Sequence, residues 1–327
     1  MLLTGVTKIG KLSVFSALNN ITDISLMREY AAICGVTEAE IESVFHEDIQ
    51  VMADYQQKTY DEMHALLKRE YNGYHFCKDM TESVYNPYSL LNALSQKELH
   101  HYWYETGTPT FLVKLLQKYR PNIDKLEGAT IDRDSLTTIT SFTSNPLPII
   151  YQSGYLTIEG YNSRFDRYTL NYPNIEVKEG FVKGLLPLVM GDRETSEFDI
   201  SAFVLAIEAG DTDDFFDRIR ALLANVPYEI KLNYEVHFQN FLYLLFTMMG
   251  FYTHVEYHTA KGRVDLVLKT DKYIYIMEFK RDDSAEHALQ QIKDNGYDAP
   301  FRKDGREMIL IGANFASDMS DVDVVMG

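Results

Sequence analysis

The chain has 327 residues, enough for two or three domains, and its 46% hydrophobic and 13% aromatic content belongs to a packed protein, not a disordered one. It contains no run of about 18 apolar residues, so no membrane span is expected, and its two cysteines, Cys34 and Cys77, are too few and too far apart for a disulfide scaffold or a zinc site. The net charge of −17 counts at first against a nucleic-acid partner, because phosphate contacts need Lys and Arg.

The N-terminus, Met1-Leu2-Leu3-Thr4-Gly5, lacks a basic region followed by a long apolar core and is not a secretory signal. The expected setting is reducing cytoplasm, with both thiols buried. Gly5-Val6-Thr7-Lys8-Ile9-Gly10-Lys11-Leu12-Ser13 nearly spells the phosphate-cradling G-x-x-x-x-G-K-[ST] loop. Leu12 stands where the hydroxyl for Mg²⁺ belongs, and the four residues before Gly5 are too few for the buried strand that the motif needs. The stretch reads as a strand end turning into a loop.

From Leu26 to Glu70 the apolar spacing predicts helices, through Leu26, Tyr30 and Ile33, then Ile41, Val44 and Phe45, then Met63, Leu66 and Leu67. Thr37, three residues before Glu40, makes a capping box for the second of them. Asn72-Gly73-Tyr74 signals a turn. Asn86-Pro87 and Thr108-Pro109 each set a capping residue before a proline at the first helical position, which predicts helices over Tyr88–Leu94 and Thr110–Gln117. Adjacent His100 and His101 would point apart on a helix, so with Trp103 they suggest aromatic packing, not a metal site. Between Ile123 and Val177 short strands are predicted at Ile149–Tyr151, Tyr155–Ile158 and Tyr168–Leu170, broken at Gly154 and Asn162-Ser163. Glu179 to Asn225 reads as helical, ending at Pro227, and Tyr234 to Met249 as a long helix with Phe238, Phe241, Leu242, Leu245, Phe246 and Met249 on one broad face.

A strand at Tyr252–Tyr257 precedes the most informative stretch. Gly262 to Leu268 and Tyr273 to Lys280 are rich in Val, Ile, Leu and Tyr and flank the polar Thr270-Asp271-Lys272, which is the pattern of a β-hairpin. Asp265, Glu278 and Lys280 lie inside these apolar runs, and Glu278 and Lys280, two apart, project from the same face. Burying such groups is costly unless they are paired or hold a metal. Two carboxylates and a lysine together are the parts of a divalent-metal hydrolytic site. Glu235 lies in the first turn of its helix, where a carboxylate also favours the helix dipole. A helix over Ala285–Gly296 carries Glu286, Gln290 and Gln291, and a strand over Met308–Gly312 completes helix–strand–strand–strand–helix–strand. His254 to Arg306 holds ten basic and ten acidic residues, so the acid excess lies elsewhere.

Two resemblances follow from these residues. Gly5-Val6-Thr7-Lys8, Phe15-Ser16-Ala17-Leu18-Asn19-Asn20, Asp23-Ile24-Ser25, Cys34-Gly35-Val36-Thr37, Tyr71 to Phe76, Val84 to Ser89 and Tyr102 to Pro109 resemble the second half of a bacterial AAA-ATPase-like domain. In that family the phosphate loop and the acidic Mg²⁺ strand lie upstream of this point; they are not in this sequence, so ATP hydrolysis is not expected from it. The ordered set Glu235, Asp265, Glu278-Phe279-Lys280 and Gln291 resembles the PD-(D/E)XK nuclease superfamily, with Val264 where a literal motif has proline.

The resemblances imply an α/β (α+β overall) chain in three parts. Residues 1–122 are a mostly helical ATPase-lid remnant, 123–195 a winged-helix-like linker module, and 196–327 a restriction-endonuclease-like mixed sheet flanked by helices. They imply Mg²⁺ or Mn²⁺ held by Asp265, Glu278, the backbone carbonyl of Phe279 and Glu235, with Lys280 and Gln291 completing the catalytic set. The implied function is metal-dependent cleavage of DNA, with DNA and proteins as partners. The alternative is a non-catalytic protein- or DNA-interaction module with a degenerate nuclease fold.

Overall fold

A computed structural model describes residues 22–80, 82–105, 112, 116, 122–137, 145–186, 199–224, 234–257, 264–316 and 320–327, of which 104, 105, 137, 234–237 and 257 are described by backbone alone. The Gly5–Ser13 stretch lies outside the described residues, as do Pro227 and most of Thr110–Gln117. The described residues form helices and two sheets, and the chain divides into two units, Met1–Gly184 and Leu185–Gly327. No described helix is long and apolar enough to cross a membrane.

The first unit begins with a helical layer. Helices α1 (Glu38–Val44) and α3 (Tyr60–Tyr71) each open on a capping box, Thr37 with Glu40 and Thr59 with Glu62, in which hydroxyl and carboxylate satisfy backbone donors that the first turn leaves unpaired. Helix α2 (His46–Tyr55) lies between them in sequence. Helix α4 (Pro87–Gln96) starts where Asn86 accepts from the amides of Tyr88 and Ser89, and the proline costs nothing there because its missing N–H would have no partner. Ile41, Ile49, Met52, Met63, Leu67, Tyr71, Tyr85 and Leu90 form one buried cluster. Cys77 is buried, but Cys34, expected inside, is exposed, because it follows exposed Ile33 in the turn ahead of α1.

After the short helix α5 (Tyr102–Glu105) come strand β1 (Ala129–Asp132), helix α6 (Arg133–Thr137), helix α7 (Leu147–Gln152), strands β2 (Thr157–Asn162) and β3 (Arg167–Asn171), and helix α8 (Ile175–Gly184). The sheet is antiparallel in the order β1-β3-β2, with its register shifting between Ile158 and Gly160. The strand predicted at Ile149–Tyr151 is helix α7 instead: Pro148 sits in a first turn that tolerates it, and Asn145 accepts from the Leu147 amide. Trp103 packs edge-on against Tyr155 with ring centroids 4.9 Å apart, and its amide donates to the buried carboxylate of Glu176, which also accepts from the Ser89 hydroxyl.

In the second unit, helices α9 (Ile200–Ala209) and α10 (Thr212–Ala224) are separated by Gly210, whose φ of 82° ends the first; the predicted run of helix is broken there. Helix α11 (Tyr234–Met249) leads into a five-stranded sheet of β4 (His254–Tyr257), β5 (Leu266–Lys269), β6 (Tyr273–Arg281), β7 (Glu307–Phe315) and β8 (Val322–Met326), ordered β4-β5-β6-β7-β8. Only the β6–β7 pair is parallel, and helix α12 (Ala285–Asn295), capped by Ser284 and ended by left-handed Gly296, makes the crossover between them. Strand β7 runs from Glu307 to Phe315, and β8 is an element that the apolar pattern does not single out.

The two faces of β6 are covered differently. Ile274 and Ile276 pack with Val267 and with Leu289 and Ile292 of α12. On the other face the Tyr275 hydroxyl donates to the Ile207 carbonyl of α9 at 2.7 Å, and Phe279 stacks on Phe246 of α11.

Candidate active site

Alternation along β6 carries the Ile274 and Ile276 face on to Glu278 and Lys280. Asp265 immediately precedes β5 and is two residues from Val267, so the same alternation brings it to the same side. Three charged groups thus continue an otherwise apolar face beneath α12.

Glu278 is 3% exposed. Its Oε1 atom receives both the Lys280 ammonium, at 3.2 Å, and the Gln291 side-chain amide from α12. Its Oε2 atom is buried and has no hydrogen-bond partner among the described residues. Asp265 Oδ2 accepts from the Phe279 backbone N–H at 2.8 Å, which ties the start of β5 to the end of β6. The structure therefore brings Asp265, Glu278, Lys280 and Gln291 together. Glu235 lies in the first turn of α11, with its side chain outside the described residues.

Both carboxyls are shifted upward. Burial pushes Asp265 up to about 6, aided by the nearby Glu278 charge and opposed by the Phe279 amide and by Lys280. Burial also raises Glu278, with Lys280 pulling it back. Desolvated carboxylates resist ionisation until a cation reaches them. Two hard-oxygen donors, one with a buried oxygen lacking a partner, fit the requirements of Mg²⁺ or Mn²⁺.

Gly312 shapes the site, although apolar periodicity does not single it out. It pairs with Glu278 in the parallel ladder and so lies on the same face. A Cβ there would overlap the Ala285 carbonyl oxygen and the Leu289 backbone, so the bare backbone of β7 lets α12 lie directly on the sheet and lets Gln291 reach Glu278. An isolated glycine inside a strand pattern is the sequence signal for such close approach.

A second group stands in the first unit, where one ligand atom from each of Glu38, Glu42 and His64 lies within 4.8 Å of the others. The Lys68 ammonium is 3.3 Å from Glu38 and the His64 ring 2.6 Å from it, and both glutamates reach the surface. Glu38 is thus already engaged by Lys68 and His64.

Residues 233–323 match the PD-(D/E)XK nuclease superfamily. The chain is also similar to an "Uncharacterized protein in vnfD 5'region" of Azotobacter chroococcum mcd 1, 33% identical over 331 residues that take in 98% of this chain. The chain spans 61% of that relative's length. No solved structure matches it. Strands β4 to β7, the three charged groups beneath α12 and Gln291 on that helix lie within the segment that matches the nuclease superfamily, and β8 runs past its end.

Proposed function

We propose that this domain is a metal-dependent phosphodiesterase that cleaves DNA. The observation that carries the reading is the buried, unpartnered Glu278 Oε2 beside Asp265 and Lys280, in a segment that matches a nuclease superfamily. Asp265, Glu278, the Phe279 carbonyl and Glu235 would hold Mg²⁺ or Mn²⁺. A bound ion would supply charge to polarise the scissile phosphate and make a nearby water more acidic.

The protein's own groups divide the remaining work. Asp265 and Glu278 provide the negative charge that draws a cation into a desolvated place. Lys280 orients the attacking water or offsets the charge that grows on phosphorus in the transition state. Its present partner is Glu278, so a cation on Glu278 would weaken that pairing and free the ammonium for substrate. Gln291 fixes the Glu278 carboxylate in orientation.

We also read residues 1–122 as the lid portion of an ATPase-like domain and 123–195 as a winged-helix-like linker module, on the strength of the resemblance in the first 110 residues. The net charge of −17 favours a second reading, a protein-interaction module that has kept the nuclease fold without its activity.

The deciding experiment is a cleavage assay on single- and double-stranded DNA with Mg²⁺ or Mn²⁺, comparing wild type with Asp265→Ala and Lys280→Ala. A loss of at least a hundredfold in each variant is expected. Equal activity in all three would overturn the assignment. A melting temperature that rises with Mn²⁺ in wild type but not in Asp265→Ala reports the metal site independently of turnover.

A further inference from the structure

We propose that the tip of the β2–β3 hairpin is a nucleic-acid contact, in which Phe165 stacks on an unpaired or distorted base while Arg164, Arg167 and Lys78 meet the flanking phosphates. The choice of partner rests on the phosphodiesterase reading of the C-terminal domain.

The tip is built for display. Residues 162–167 are all exposed, and the turn closes through Asp166 in the left-handed region at a φ of 49°. Its base is anchored, since Tyr168 and Leu170 are buried and β3 pairs on both sides, with β1 and with β2. Phe165, 62% exposed, therefore stands on a fixed platform where burial on folding gives it no purpose. The Arg164 guanidinium lies 5.1 Å from the centre of its ring, and the Lys78 ammonium 5.5 Å from the Tyr161 ring at the foot of the turn. Aromatic faces interleaved with cations suit bases and phosphates at once.

The charge pattern points the same way. Arg69, Arg218, Arg220, Arg281, Arg302 and Arg306 each sit in an ion pair. Among the described residues Arg164, Arg167 and Lys78 form none; Arg167 gives one N–H to the Thr130 carbonyl, and its fork keeps donors for a phosphate. The neighbouring carboxylates are engaged locally. Asp166 accepts from the Tyr161 hydroxyl, and Asp132, opposite Arg167 in the ladder, accepts from the amide and hydroxyl of Ser135. In a chain of net charge −17, the tip thus presents the guanidinium groups of Arg164 and Arg167 outside any ion pair, beside carboxylates that already accept hydrogen bonds.

The test uses the full chain in EDTA, so that cleavage does not consume the probe, and follows fluorescence anisotropy of a labelled single-stranded oligonucleotide and a gapped duplex across a salt series. Arg164→Ala/Arg167→Ala should weaken binding at least tenfold and lower the slope of log K against log salt by about 1.5 to 2, as two lost phosphate contacts require. Phe165→Ala should weaken binding about fivefold with the slope unchanged, and Phe165→Trp should restore it with fluorescence that changes on binding. Because these side chains are exposed, the melting temperature should not move. Absence of DNA binding by wild type, or affinities and slopes identical in all variants, would overturn the proposal. So would binding to phosphatidylserine vesicles that the substitutions abolish while DNA binding is untouched. If wild type binds DNA through this tip but cleaves nothing with any divalent ion, the phosphodiesterase reading fails and the contact stands. If it cleaves and the variants bind normally, the reverse holds.

Discussion

At the scale of single residues, Asp265 offers the sharpest handle, because its environment works against its charge. Its carboxyl is pushed from an ordinary value of 3.8 up to about 6, mainly by burial, so the folded protein holds that proton more tightly than the unfolded chain does. The associated stability is fully present below about pH 3.8 and is lost as pH rises through about 6, a change of about 2–3 kcal/mol in the metal-free protein. Asp265→Asn keeps an oxygen for the Phe279 amide and removes the charge. Its denaturation midpoint should therefore exceed that of wild type at pH 7 and match it near pH 4. Mn²⁺ should flatten the wild-type slope, since a cation favours the ionised form. Urea titrations at pH 4, 5.5 and 7 would check this, and a variant that follows the wild-type slope at every pH would refute it. Asp265, Glu278 and Lys280 were legible in the sequence because charges inside a Val- and Ile-rich hairpin violate the pattern around them. The unpartnered Glu278 Oε2 was not, since it depends on where Gln291 and Lys280 settle on the opposite oxygen.

At the scale of elements, α12 on β7 decides whether the site keeps its shape. Gly312→Ala should destabilise the second unit by about 1–3 kcal/mol, the usual cost of forcing extra volume into a packed interior. It should also cut cleavage more than stability alone predicts, because the helix must lift and draw Gln291 away from Glu278. Chemical denaturation and turnover measured on the same preparation would separate the two effects; unchanged values of both would show that α12 has room to spare. Helices with strong local signals were readable. The Thr37–Glu40 box and Asn86-Pro87 mark starts that the structure places within a residue or so of expectation. Ile149-Ile150-Tyr151 misled because β-branched residues favour strands on average, whereas Pro148 in the first turn and the Asn145 side chain on the Leu147 amide suit a helix start. Strand β1, Ala-Thr-Ile-Asp, alternates, but four residues are too short a run to stand out, and it exists through its pairing with β3, a distant contact that no local pattern reports.

At the scale of the whole molecule, the division into two units means that a ligand of one need not be felt by the other. Hydrogen exchange on the full chain should show Mn²⁺ raising protection in β5, β6 and α12 while α1 to α4 exchange at their metal-free rates. Equal gains in both units would show that the cores are energetically joined. The described members of the site, Asp265, Glu278, Lys280 and Gln291, fall within one short run of chain, a hairpin followed by its crossover helix. Contacts between residues near in sequence close small loops and form early, because little chain entropy is lost in joining them. The hairpin and its helix should thus acquire order during refolding before β8 closes the sheet on β7. Pulse-labelling should find the Phe279 amide protected ahead of the β8 amides. The groups of the candidate site would then be in place while the chain is still completing the sheet around them.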